Sequence, residues 1–235
     1  MTEMLAETPE RRRSGGPNPG ALAIVVLALT LAGILLAAAL SGGALIGSPF
    51  VDSATLVARY ADNALATRVL ALFQFGAAVP LGILAATLYA RQLRLGIRVP
   101  GPGIGFYGGI AASILLMISG LCTWLLSRPE IVTDAPLMHA IAFMAFLTGG
   151  VGYVVGLGLL VAGVAVPALI LRLVPAWLAW TGLVIAALCE LSFLSLVIEP
   201  LQFLLPIGRF GGGIWLIVVC FLLPATRAAA NRGRS

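Results

Sequence analysis

Long apolar runs, each ended by a short polar or proline-glycine interruption, follow one another from Ala21 almost to the C-terminus. A membrane-crossing helix takes about 20 mainly apolar residues at ~1.5 Å of rise each. Six runs meet that length: Ala21–Leu45, Leu65–Tyr89, Gly103–Leu126, Pro136–Val166, Ala176–Ile198 and Arg209–Leu223. The breaks fall at Gly47-Ser48-Pro49, at Arg91 to Arg98 with Pro100-Gly101-Pro102, at Ser127-Arg128-Pro129-Glu130, at Pro167 and Arg172 to Pro175, and at Glu199-Pro200 with Pro206 and Gly208. The runs lack the alternation of a barrel strand, and a lone strand in lipid would leave its backbone unpaired. The pattern predicts an all-α, polytopic transmembrane helical bundle of about six spans. Residues 21–226 read as one membrane domain. Residues 1–20, polar and rich in proline and glycine, are predicted to be disordered, and 227–235 to form a basic tail. No loop is long enough to bury a core of its own.

Composition agrees, with 60% of residues hydrophobic, 10% charged and a mean hydropathy of +1.08. All 14 basic residues are arginine. Alternating the spans sends Arg11, Arg12, Arg13, Arg91, Arg94, Arg98, Arg172, Arg227, Arg232 and Arg234 to one side. Arg59, Arg68, Arg128 and Arg209 go to the other. The positive-inside rule then puts both termini in the cytoplasm of a cell whose plasma membrane holds the protein. Asp52, Asp62, Glu130, Asp134 and Glu199 fall outside. The first run exceeds the 7–15 apolar residues of a signal peptide and reads as a span. Ala37-Ala38-Ala39 leaves the alternative of cleavage, which would remove one span. The net charge of +5 is spread over membrane-end loops. It marks topology and contact with anionic headgroups, not nucleic-acid binding.

Two external segments carry structural signals. Asp52-Ser53 before Leu56, Val57 and Tyr60 predicts a capped short helix lying on the outer surface. Leu201–Leu205, bracketed by prolines, is expected to dip into the interface or pack over the bundle mouth. Gly105/Gly109, Gly152/Gly156 and Gly208/Gly212 have GxxxG spacing, which lets helix backbones approach closely. They serve intramolecular packing or, as the alternative, a homo-oligomer or protein partner. The glycines of the fourth run, Gly149 to Gly158, predict that it packs centrally. The stretches before the third and fifth runs, Leu93-Arg94-Leu95 with Val99-Pro100 and Leu171-Arg172-Leu173 with Val174-Pro175, echo each other, as duplicated hairpins do.

The costly residues are polar ones at depth. Glu190 lies well inside the fifth run, where an acidic side chain costs about 2.5–3.5 kcal/mol on insertion scales. It is a functional carboxylate or a structural one, with Arg209, Arg68 and His139 as candidate partners. Gln74, Arg68, His139, Glu190, Glu199 and Arg209 all fall in the outer half or at its edge. If they converge, they line a cavity open to the outside; singly, Arg68, Arg209 and Glu199 read as snorkelling residues. His139 is the only histidine, so one chain cannot build a multi-histidine metal or bis-histidine haem site. No metal or cofactor is expected. Cys122, Cys189 and Cys220 lie within runs and show no CxxC pairing. Trp124, Trp177 and Trp180 sit near run ends as interfacial anchors, and Trp215 lies deeper. There is no HExxH, no GxSxG, no phosphate-binding glycine loop and no acidic metal cluster. Ser119-Gly120 with His139 lacks the glycine of an intramembrane serine protease, since Met117 stands there.

The C-terminal half carries Gly152-Tyr153-Val154-Val155-Gly156, Leu173-Val174-Pro175-Ala176-Trp177-Leu178-Ala179 with Gly182, Val197-Ile198-Glu199-Pro200 and Ile214-Trp215-Leu216-Ile217. In order and spacing these resemble a family of uncharacterised bacterial multi-pass membrane proteins, a domain of unknown function. The N-terminal half is similar only in hydropathy. Ala176 stands where members often carry a basic residue, and acidic residues of the third and last spans are missing. The resemblance implies a multi-span fold and lends no catalytic residue.

Together these readings point to an integral membrane protein in contact with the lipid bilayer, non-enzymatic, with a binding or accessory role. The alternative is a small-solute or lipophile transporter using Glu190 in an outward-facing polar cavity.

Overall fold

The computed structural model describes residues 16–42 and 49–225. Among them all regular structure is helical: α1 (Pro19–Leu40), α2 (Ser53–Asp62), α3 (Ala64–Arg94), α4 (Pro100–Leu125), α5 (Pro129–Val132), α6 (Ala135–Phe146), α7 (Tyr153–Ile170), α8 (Ala176–Leu191) and α9 (Leu204–Leu222). A π-helical turn, Leu147–Gly152, joins α6 to α7, and 3-10 turns at Ser192–Leu196 and Glu199–Phe203 join α8 to α9. Six helices are long and apolar enough to cross a membrane: α1, α3, α4, the continuous α6-to-α7 rod, α8 with its 3-10 extension, and α9 with the preceding 3-10 turn. The protein is an integral, multi-pass membrane protein, and its outer helix faces contact lipid.

The helix ends differ from the apolar runs in instructive ways. α1 starts at Pro19, inside the stretch expected to be disordered, because Asn18 caps it by accepting from Gly20 N at 2.8 Å. The rest of that expectation, for residues 1–15, the end of the first run near Leu45 and the basic tail at 227–235 lie outside the described residues. Pro167 does not end its helix: α7 runs on to Ile170, with the proline in the last turns. Pro206 does not either. It sits in the first turn of α9, where a missing N–H has no intrahelical acceptor to lose. Arg209 is therefore in the second turn of α9, not at its start.

The α6-to-α7 rod is the most buried of the six and forms the axis of the bundle, as its glycines predict. α4 and α8 pack on α7, α3 packs on α4, and α1 lies against α3 and α9. Glycine makes the α4–α7 contact close. A Cβ on Gly156 would sit 2.8 Å from Gly108 O and from Ala112 N. Gly105 meets Gly163, and Gly208 and Gly212 of α9 meet Val154 and Leu157 of α7. All three GxxxG faces are thus filled by neighbouring helices of the same chain. Trp215 is buried, stacks over Gly182 and donates to Leu178 O at 2.8 Å, while Trp124, Trp177 and Trp180 are exposed.

The sequence echo has a structural counterpart. α3 ends through Gly96 (φ 80°), with Ile97 N donating to Gln92 O. α7 ends through Arg172 (φ 48°), with Leu173 N donating to Ala168 O. Both are Schellman caps, and each leads through a valine-proline pair into the next helix. At the same end, Arg91 of α3 donates to Cys220 O at 2.9 Å, a carbonyl that the last turn of α9 leaves free, and to Pro224 O at 3.2 Å just beyond the helix.

α2 is capped as expected, Asp52 accepting from Thr55 N at 2.9 Å. It does not simply lie on the outer surface. Leu56 and Tyr60 are buried with Leu126, Val132, Met138 and Ala142, so α2 closes this end of the bundle over α5 and α6.

Candidate functional site

Beneath α2, between α1, α3, α4, the π turn and α9, lies a cavity of about 640 Å³. α1 contributes Thr30, Gly33 and Ile34. Leu70 and Gln74 come from α3; Leu116, Ser119 and Thr123 come from α4. Leu205, Pro206, Arg209 and Phe210 of α9 close the far wall, and Gln202 reaches in from the 3-10 turn. Leu201–Leu205, left open between interface and bundle mouth, thus packs over this mouth. The volume falls in the ~300–1,000 Å³ range of small-molecule sites, which are mainly apolar with a few placed polar groups.

The π turn builds the polar wall. A π-helical ladder departs from the i→i−4 pattern and presents carbonyls to outside donors. Arg209 Nη2 donates to Gly149 O, and its guanidinium lies 4.8 Å from the centroid of the Tyr153 ring. Ser119 Oγ donates to Ala145 O at 2.7 Å and accepts from Gln74 Nε2 at 2.7 Å. Thr123 Oγ1 donates to Ser119 O at 2.8 Å. This chain of hydrogen bonds ties α3, α4 and α6 together around the cavity. Gln202 Nε2 has no partner. Among the described residues no aspartate or glutamate lines the cavity, and the ion pair formed is Arg128–Glu130 at 3.5 Å, away from it.

Of the six residues singled out in the sequence, Gln74 and Arg209 line this cavity and the other four lie elsewhere. Arg68 is exposed and donates to Ser127 Oγ at 3.3 Å. His139 anchors the segment before α2. Pro49 O can only accept, so His139 Nε2 donates to it at 2.8 Å; a neutral ring then takes Ser53 Oγ–H on Nδ1 at 3.0 Å. The ring stacks on Phe143. Glu199 is exposed in its 3-10 turn. Glu190 is half-buried in α8 against α7, its Oε1 buried and without a partner. A Cβ on Gly158 would stand 2.9 Å from that oxygen.

Sequence reasoning missed Tyr153, Ser119, Thr123 and Gln202. Ser119, a polar residue inside the third run, was the legible signal; Gln202 lies in the segment between the fifth and sixth runs, and Tyr153 entered only within the Gly152–Gly156 motif. No family model, no curated protein and no solved structure matches the chain.

Proposed function

We propose that this is a non-enzymatic membrane protein that binds a small, largely apolar molecule inside its bundle, as a binding or accessory component. The observation that carries this is the cavity of about 640 Å³ framed by α1, α3, α4, the π turn and α9. Gln74, Ser119, Thr123 and Arg209 are held by one another and by backbone carbonyls. They therefore form a prepared wall, not a set of snorkelling ends. With the arginine bias placing both termini in the cytoplasm of a plasma-membrane protein, the cavity opens at the outer end.

The test is photolabelling of the full chain in nanodiscs with an alkyl diazirine, mapped by mass spectrometry. Labels should concentrate on peptides of α1, α4 and α9 and be reduced in Ile34→Trp, which narrows the cavity. Uniform labelling of lipid-facing surfaces, unchanged by Ile34→Trp, would sink the reading. Ser53→Cys in a chain lacking Cys122, Cys189 and Cys220 tests the orientation: an impermeant maleimide should label it on intact cells.

A second reading, transport with Glu190 as the coupling carboxylate, is favoured by the orphaned Oε1 of that residue. Its route would pass Val154, a cavity residue that meets Cys189 across Gly208. Substrate accumulation that depends on expression and is abolished by Glu190→Gln would select this reading over the first.

A further inference from the structure

Among the described residues, Arg209 is the one arginine in the cavity wall, and that wall carries no carboxylate. A cation at membrane depth is costly unless paired or hydrogen-bonded. Here one guanidinium N–H is taken by Gly149 O and one face by Tyr153, so its remaining donors are left for another acceptor. Asp52, the one acidic residue in the chain between α1 and α2, is engaged as the cap of α2, accepting from Thr55 N. A second donor, Gln202 Nε2, lines the same cavity without a partner. The rest of the wall is suited to hydrocarbon: Ile34, Leu70, Leu116, Leu205 and Phe210.

Resting on the binding reading above, we propose that the cavity holds a single-chain amphiphile with an anionic head, a carboxylate or a phosphate. Arg209 is the counter-charge, and the alkyl chain lies along the apolar wall. A guanidinium recognises both oxyanions through paired N–H donors. Gln202 adds a neutral donor, and Gln74, already committed to Ser119, keeps the wall rigid.

The experiment uses the full chain in phosphatidylcholine nanodiscs at pH 8, with empty nanodiscs subtracted. Radiolabelled dodecanoate, dodecyl phosphate, dodecanol and inorganic phosphate are compared. Wild-type protein should bind either anionic amphiphile at least about tenfold more tightly than dodecanol, the gain of one charge-assisted contact in a shielded site. Arg209→Gln should abolish that preference; Arg209→Lys should keep part of it. Comparison of the two anions identifies the head, and inorganic phosphate binding as tightly as dodecyl phosphate would overturn the amphiphile. Equal binding of dodecanoate, dodecyl phosphate and dodecanol by the wild type overturns the proposal while leaving the cavity reading intact. Binding of none of the probes overturns both. The wild-type comparison decides even if the Arg209 variants fail to fold.

Discussion

The guanidinium of Arg209 lies over the ring of Tyr153, 4.8 Å from its centroid, with α9 and α7 contributing one residue each. A desolvated cation–π contact of this kind is worth up to about 2 kcal/mol. Tyr153→Leu should therefore lower the stability of the protein in detergent by about 1–2 kcal/mol. Tyr153→Phe, which keeps the ring face, should stay within about 0.5 kcal/mol of wild type. Denaturant unfolding followed by tryptophan fluorescence reads both; equal losses in the two variants would show that the hydroxyl, not the ring, matters.

Gly158 makes room for Glu190. Alanine there would bring a Cβ to 2.6 Å from Cys189 Cβ and 2.9 Å from Glu190 Oε1. Overpacking of this size costs about 1–3 kcal/mol. Glu190→Leu, by contrast, removes an orphaned buried oxygen and should raise stability by about 1 kcal/mol or more. A destabilised Glu190→Leu would point to an acceptor role for that carboxyl, against the geometry.

Arg172 holds a left-handed conformation that a side chain adopts at a cost of about 1–2 kcal/mol, and the matching cap of α3 uses Gly96. Arg172→Gly should raise the thermal midpoint, adding up to about 1 kcal/mol once the greater freedom of the unfolded glycine is subtracted. Gly96→Arg should do the reverse.

Hydrogen bonds from the Thr55 side chain, and then from its backbone N–H, hold the Asp52 carboxyl below its usual value. A depressed folded-state pKa gives a contribution that is full above the ordinary carboxylate range. It is lost as pH falls through the folded value. Amide protection in α2, corrected for intrinsic exchange, should be flat from pH 7 to about 4 and then fall. In Asp52→Asn, whose amide caps without titrating, that component of the fall should vanish.

The class of the protein was legible in its residues because burial in lipid is decided by run length and by what interrupts a run. Apolar stretches of 20 or more residues admit only helices, and the glycines of the fourth run announced the central rod. The Asp52 cap was equally local: an acceptor two or three residues ahead of free N–H groups needs no tertiary context. Proline was the misleading signal. Pro167 and Pro206 read as breaks, yet α7 runs through Pro167 at the cost of one i→i−4 hydrogen bond, and α9 begins before Pro206, whose missing N–H has no intrahelical acceptor.

The cavity was another matter. Depth along a span can be counted, but the direction a side chain faces depends on which helices become neighbours. Six residues of similar depth were therefore divided: Gln74 and Arg209 reach the cavity wall, His139 and Arg68 fasten loops, Glu199 stays exposed and Glu190 faces Gly158. The sequence by itself determined that the chain is a helical membrane protein, since hydropathy acts residue by residue along each span. Only the tertiary structure decided which polar groups share a cavity. That depends on the rotation of each helix, and close glycine contacts and the π turn set it when the bundle packs.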